Sequence, residues 1–259
     1  MWNKVRRITI HTRRKPIIIS IINLIFYLFV VTMNFLANFL PLNGQTSGEI
    51  SDKLDVLFTP AGYVFSIWGL IYFLLAIWVF RQFLSKHQNS PAYKASSPWF
   101  ALSCVLNGAW LLAWHYERFL LSVFIIIALL ATLMVIYTRM KKVEHVAFDL
   151  FPFSVYTGWV SVATIADISY YLTYIKWDGF GASRITWTIV LLIAATALAF
   201  FFAGKNRDWC YPLVFVWAFI GIGIRNSDAY PIITDISYIL AAITFIVSIT
   251  IFIQNRRNK

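Results

Sequence analysis

Charge is scarce in this chain. Only 13% of its 259 residues are Asp, Glu, Lys or Arg, about half the quarter that soluble domains carry. That shortage excludes an ordinary water-facing surface and a disordered chain. Cysteine is also rare: the two present, Cys104 and Cys210, cannot build a disulfide framework, and neither sits in a Cys-x-x-Cys pair. The four histidines, His11, His87, His115 and His145, lack metal-ligand spacing. The Gly179-Phe-Gly181 turn follows no strand and is no phosphate cradle. No catalytic triad signature, cofactor motif or myristoylation glycine is present, so nothing marks an enzyme.

Apolar residues are abundant instead. They make up 60% of the chain, 18% of it is aromatic, and the mean hydropathy is +0.71. Such a composition suits a bilayer. A membrane-crossing helix needs about 20 mostly apolar residues. Eight such runs are predicted, at 17–40, 61–84, 98–116, 119–138, 147–173, 186–204, 209–224 and 232–253. Continuous runs of this length argue for helices rather than the alternating segments of a barrel. The basic start followed by a long apolar run, with no small-residue cleavage site, reads as a retained first span. The expected fold is an all-α integral membrane bundle.

The net charge of +11 follows from the topology. Seventeen of the 22 basic residues fall in the tail 1–16 and in the connections on its side of the bundle. Five, Lys53, Arg118, Lys176, Arg184 and Arg225, fall on the other side. The positive-inside rule then puts both termini in the cytoplasm, as an even number of spans requires. The expected setting is a bacterial plasma membrane. The basic tail also suits contact with anionic lipid. With no folded basic module, nucleic acid is not an expected partner.

Residues three and four apart share a helix face. On the first span Asn23, Tyr27, Asn34 and Asn38 line up. On the second, Phe65, Trp68 and Tyr72 do so. The third carries Ser103, Asn107, Trp110 and Trp114, and the fifth Tyr156, Trp159, Ala163, Asp167 and Tyr170. Polar groups in lipid are costly, so these stripes should face inward and converge beneath the loop 41–60. Packing and helix–helix hydrogen bonding are the competing roles for the same residues. Trp99, Trp177, Trp187 and Trp209 sit at span ends, where aromatic belts form. Asp167, an intramembrane carboxyl, is the sharpest functional candidate.

Three stretches resemble the TspO/MBR family, the tryptophan-rich sensory proteins that include the mitochondrial translocator protein. They are Thr59 to Tyr72, with Pro60, Gly62, Phe65 and Trp68; Leu106-Asn107-Gly-Ala-Trp110; and Tyr156-Thr-Gly-Trp159 continuing to Ala163-Thr164 and Asp167. Tyr63 stands where the family has its first Trp, and Asp167 where it has Asn. The Gly62–Trp68 interval is one residue shorter. The resemblance covers about 17–175 and implies a five-helix bundle binding porphyrins or other flat hydrophobic ligands; for mitochondrial members it implies cholesterol as well. By motif it implies a pocket of Trp68, Asn107, Trp110, Tyr156, Trp159 and Ala163. Asn34, Tyr63, Phe65, Tyr72 and Asp167 complete the candidate set.

Three units are thus expected: a basic tail 1–16, the five-helix bundle 17–175, and a three-helix extension 176–259 that serves packing or homo-oligomerisation. Ile220-Gly221-Ile-Gly223 in the extension allows close helix approach. The favoured function is a membrane receptor or carrier for a flat hydrophobic ligand of the tetrapyrrole class, bound as a ligand rather than a cofactor. A secondary transporter coupled through Asp167 is the alternative, and porphyrin breakdown a weaker third. The charge split generates a direct test. Ser47→Cys should label with an impermeant thiol reagent added outside intact cells and Ser90→Cys should not; the reverse pattern inverts the topology.

Overall fold

The computed structural model describes the backbone of residues 2–40 and 42–257 and the side chains of 17–40 and 42–257. The side chains of the basic tail 1–16 lie outside that set. Among the described residues every regular element is helical. Eight long helices are present: α1 Trp2–Phe39, α3 Ile67–Arg81, α4 Pro91–His115, α5 Phe119–Lys141, α6 Ala147–Tyr174, α7 Arg184–Asn206, α8 Cys210–Asn226 and α9 Pro231–Arg257. A short helix α2, Ser47–Asp52, lies in the loop between α1 and α3. By length and composition five segments are apolar enough to cross a membrane: Ile17–Gly44, Gly62–Arg81, Phe119–Lys141, Arg184–Asn206 and Pro231–Arg257. Helices α4 and α6 are long but carry the polar stripes, and α8 is short at 17 residues.

The eight expected spans each map onto one long helix, with three adjustments. The first is part of a helix that begins at Trp2, fifteen residues before its apolar run. The third starts seven residues earlier than its apolar run, because Pro91 opens α4 at its first turn, where a missing N–H costs nothing. The polar residues that follow are absorbed by bonding: Ser96 Oγ donates to Ala92 O and Ser97 Oγ to Asn23 Oδ1. The second begins as a tighter 3-10 turn, Gly62–Ser66, before α3 takes over.

Helix α4 packs against α1 and α5, α5 against α6, and α3 against α1 and α6. This forms a five-helix group. Helices α7, α8 and α9 pack on one another, and α8 joins them to the group by lying along α6. Glycines permit that junction. A Cβ at Gly158 of α6 would sit 3.0 Å from Val214 Cβ and 3.1 Å from the Tyr211 carbonyl of α8. A Cβ at Gly221 of α8 would overlap Val64 in the 3-10 turn, whose neighbour Ala61 donates its N–H to Gly221 O at 3.0 Å. Gly223 meets Tyr238 of α9 as closely. The glycine pair therefore serves two partners, one on each side of α8.

Two ends can be told apart. At one, the 41–60 loop meets the α4–α5 and α6–α7 turns and the end of α8. The ties are Asn43 to the His115 carbonyl, Lys53 with Glu117, Arg184 with Asp55 and Arg225 with Asp52. At the other, Asn23 meets Gln82, Arg81 pairs with Asp149, and Lys141 donates to Asn206. The five basic residues of the sparser set all lie at the loop end, three of them paired with carboxylates.

The Gly221 junction yields a stability test. Overpacking a filled contact costs about 1–3 kcal/mol. Gly221→Ala should lower the thermal midpoint of the purified protein in detergent. Gly204→Ala, in a helix with open space at that point, should not. Equal midpoints for the two variants would remove the junction from the account.

Candidate functional site: an aromatic cavity beneath the loop

Residues of the four stripes meet in two layers, with two exceptions on α1: Asn38 is exposed and bonds only the Asn34 carbonyl of its own helix, and Asn23 pairs with Gln82 at the far end. The deeper layer is a hydrogen-bonded hub centred on Asn107 of α4, which is completely buried. Its Oδ1 accepts from Asn34 Nδ2 of α1 at 3.0 Å and from Tyr72 Oη of α3 at 3.3 Å. Its Nδ2 donates to Tyr156 Oη of α6 at 2.8 Å. One carboxamide thus ties four helices. In this layer Asn34, Tyr72, Asn107 and Tyr156 satisfy each other.

The upper layer is aromatic. Trp68 stacks on Tyr72 with ring centroids 5.7 Å apart and lies 6.2 Å from both Trp110 and Trp159. Trp110 stacks on Trp114 at 6.0 Å, and Phe65 meets Trp159 edge-on at 5.8 Å. These rings surround a cavity of about 40 Å³. Ala163, Asp167 and Tyr170 of α6 line its side, and Ser47, Ser51, Thr59 and Pro60 form the roof. The loop is held there by Tyr170 Oη donating to Ile50 O at 2.8 Å, Trp114 Nε1 to Ser47 O at 3.3 Å, and Asn226 Nδ2 to Leu57 O at 3.0 Å. At its outer surface, the Lys53 ammonium holds the Glu117 carboxyl below the usual carboxylate range. A backbone N–H from Thr46 does the same for Glu49 in the capping box of α2.

Asp167 is buried and has no cationic partner among the described residues. Trp110 Nε1 donates to its Oδ2 at 3.1 Å. Its Oδ1 lies 3.0 Å from Ser122 Oγ of α5, and that hydroxyl also lies 2.8 Å from the Phe119 carbonyl. A hydroxyl has one hydrogen and two possible acceptors here. The indole N–H of Trp159 is different: the residue is 2% exposed, and this N–H has no acceptor in the structure.

Of the eleven candidate residues, Phe65, Trp68, Trp110, Trp159, Ala163 and Asp167 line the cavity. Asn34, Tyr72, Asn107 and Tyr156 form its floor one layer down. Tyr63 is elsewhere: it is 44% exposed, and its ring meets Trp217 of α8 edge-on at 5.3 Å. The 3-10 turn explains this, because its tighter winding rotates Tyr63 away from Phe65 and Trp68. The roof residues Ser47, Ser51, Thr59 and Pro60 carry no periodic signal. Trp114 and Tyr170 belong to the stripes and complete the wall.

These observations define a multi-pass helical membrane protein with an aromatic cavity near one end of its bundle. A family model described as TSPO-like protein matches residues 20–250, and the chain belongs to that family. The match runs through α7 and α8 and most of α9 as well as the five-helix group. No curated protein and no solved structure matches the chain.

The hub makes its own prediction. Asn107→Leu strands Tyr72 and Tyr156 and leaves Asn34 only the Val30 carbonyl of its own helix, at a cost of about 1–3 kcal/mol. Asn38→Leu loses only a bond to the carbonyl of Asn34 in its own helix and should stay within about 0.5 kcal/mol. Thermal unfolding of both in detergent checks this; similar midpoints would show that the hub does not tie the helices.

Proposed function

We propose that the protein is a membrane receptor or carrier for a flat hydrophobic ligand of the tetrapyrrole class, taken up among Trp68, Trp110 and Trp159. On this reading it lies in a plasma membrane with both termini cytoplasmic. The carrying observation is a cluster of tryptophans on three helices, Trp110 and Trp159 buried and Trp68 half-buried, beneath a roof, with the indole N–H of Trp159 left without an acceptor. Stacking on such rings contributes about 0.5–1.5 kcal/mol per pair beyond area burial. The free N–H suits an acceptor on the ligand's edge.

Size sets the condition. Ligand pockets are typically about 300–1,000 Å³, and the cavity is about 40 Å³. It holds water-sized guests as it stands. The ligand therefore enters by parting the rings and lifting the roof, replacing ring–ring contacts with ring–ligand contacts of the same kind.

Asp167 fits this reading as a neutral acid. If Ser122 gives its hydrogen to the Phe119 carbonyl, Asp167 must supply the hydrogen between Oδ1 and Ser122 Oγ, while Oδ2 accepts from Trp110. A carboxylic acid then offers one donor and one acceptor in the places where an amide would. No charge opposes an anionic ligand edge.

Tetrapyrrole titration followed by tryptophan quenching is the test. Trp68→Leu, Trp110→Leu and Trp159→Leu should each weaken binding by about threefold to tenfold or more. Asp167→Asn should leave binding within about twofold, since the amide reproduces both hydrogen bonds. Unchanged affinity in all three tryptophan variants would end the proposal. In proteoliposomes, uptake driven by a pH gradient that vanishes in Asp167→Asn would favour a coupled transporter over a receptor.

A further inference from the structure

A second cavity lies at the opposite end of the molecule, independent of the aromatic site. It is the larger, at about 620 Å³, and is enclosed by the end of α5, the start of α6, the α7–α8 turn and the end of α9. Lys141, Arg207 and Arg256 line it. None of the three is in an ion pair among the described residues. Lys141 donates only to the carbonyl and the side-chain oxygen of Asn206, both neutral.

The one carboxylate in the lining has its oxygens occupied by hydrogen bonds, though its charge still reaches Lys141. Asp208 is buried; its Oδ1 accepts from the N–H groups of Cys210 and Tyr211 at 2.9 and 3.2 Å, and its Oδ2 from Tyr137 Oη at 2.7 Å. It caps α8 and leaves the cavity with a surplus of positive charge. Ser154 adds a second, uncharged observation. It is 2% exposed, lines the same cavity, and its hydroxyl has no hydrogen-bond partner. A buried hydroxyl without a partner costs free energy that a ligand oxygen would recover.

Beside the polar His145, Asn206 and Asn255, the wall carries an aromatic run: Phe148, Phe151, Trp209 and Phe252, with ring centroids 6.3, 6.4 and 5.1 Å apart in that order. A free anion would answer the cations and leave this wall bare. An amphiphile covers both.

We propose that this cavity binds an anionic phospholipid, its phosphate between Lys141, Arg207, Arg256 and Ser154 and its acyl chains along the aromatic wall. Basic pockets between helix ends at a membrane face are suited to such headgroups. The cavity also lies at the end opposite the 41–60 loop, where ten of the described basic residues gather: Arg81, Lys86, Lys94, Arg139, Lys141, Lys142, Lys205, Arg207, Arg256 and Arg257.

The experiment uses the full-length protein in phosphatidylcholine nanodiscs containing a minor fraction of phosphatidylglycerol. Native mass spectrometry reads the lipid that stays bound. Wild type should retain phosphatidylglycerol over phosphatidylcholine. Arg207→Gln with Arg256→Gln should reduce that retention about fivefold for each cation removed. Ser154→Ala changes no charge and should still weaken it, also about fivefold. Lys86→Gln with Lys94→Gln, at the same end but outside the cavity, should leave it unchanged. Should the double arginine variant fail to fold, Arg256→Gln alone, in the exposed last turn of α9, carries the same expectation for one cation. Equal loss in the Lys86/Lys94 control, or no lipid preference in wild type, overturns the proposal. Displacement of the lipid by millimolar inorganic phosphate would assign the site to free phosphate and overturn the lipid as its occupant.

Discussion

The bundle depends on one carboxamide. In a bilayer a buried polar group has no water to fall back on. Asn107 therefore finds partners on other helices, and it can hold three at once because its oxygen accepts two hydrogen bonds while its nitrogen donates a third. The spacing along each stripe then fixes what sits above. On α4, Trp110 is one turn from Asn107; on α6, Trp159 is three residues from Tyr156; on α3, Trp68 is one turn before Tyr72. With the hub in register, three tryptophans are brought together in the layer above it.

The second constraint comes from the far side of α6. Gly158 belongs to the same motif as Tyr156 and Trp159, and its missing side chain faces α8 rather than the cavity. One stretch of α6 thus presents its aromatic face to the site and its glycine to the extension. From there α8 reaches up to the roof. Asn226 holds the Leu57 carbonyl, Trp217 donates to the Val64 carbonyl at 3.1 Å, and Arg225 pairs with Asp52. Helices α7 and α8 thus contribute contacts to the roof of the cavity.

Much of this was legible in the sequence because the cost of a polar group in lipid turns spacing into direction. Asn34, Asn107, Tyr156 and Asp167 all face inward, as their stripes require. Periodicity specifies a face, however, and not the gap in front of it. It could not separate the residues that close on one another in the hub from those that line a space. Nor could it show that the tryptophans nearly fill the space they surround. Tyr63 entered the candidate set through the motif and not through spacing, and the 3-10 turn carries it to Trp217 instead of the cavity. The roof was visible only as a loop, since contacts such as Tyr170 to Ile50 and Asn226 to Leu57 join residues more than a hundred positions apart.

The energetics of opening follow from which ties are strong. The floor is a buried network in a dry environment, where losing one partner strands the others. The α6 wall is backed by α8 across glycine contacts that leave no slack. The roof is held differently. Its ion pairs, Lys53 with Glu117, Arg184 with Asp55 and Arg225 with Asp52, have at least one exposed partner each, and such pairs contribute about 0–1 kcal/mol apiece. Beyond them are a few single hydrogen bonds, each contributing about 0.5–1.5 kcal/mol net, and the side chains of Ile50, Val56, Leu57 and Phe58 buried in the apolar core. The polar ties of the 41–60 loop are thus the weak part of its hold, and its buried apolar side chains the strong part. Ties from the extension run through four residues: Arg184 at the start of α7, Arg225 and Asn226 at the end of α8, and Tyr230 just before α9. The helices farthest from the tryptophans along the chain thereby help set the free energy required to reach them.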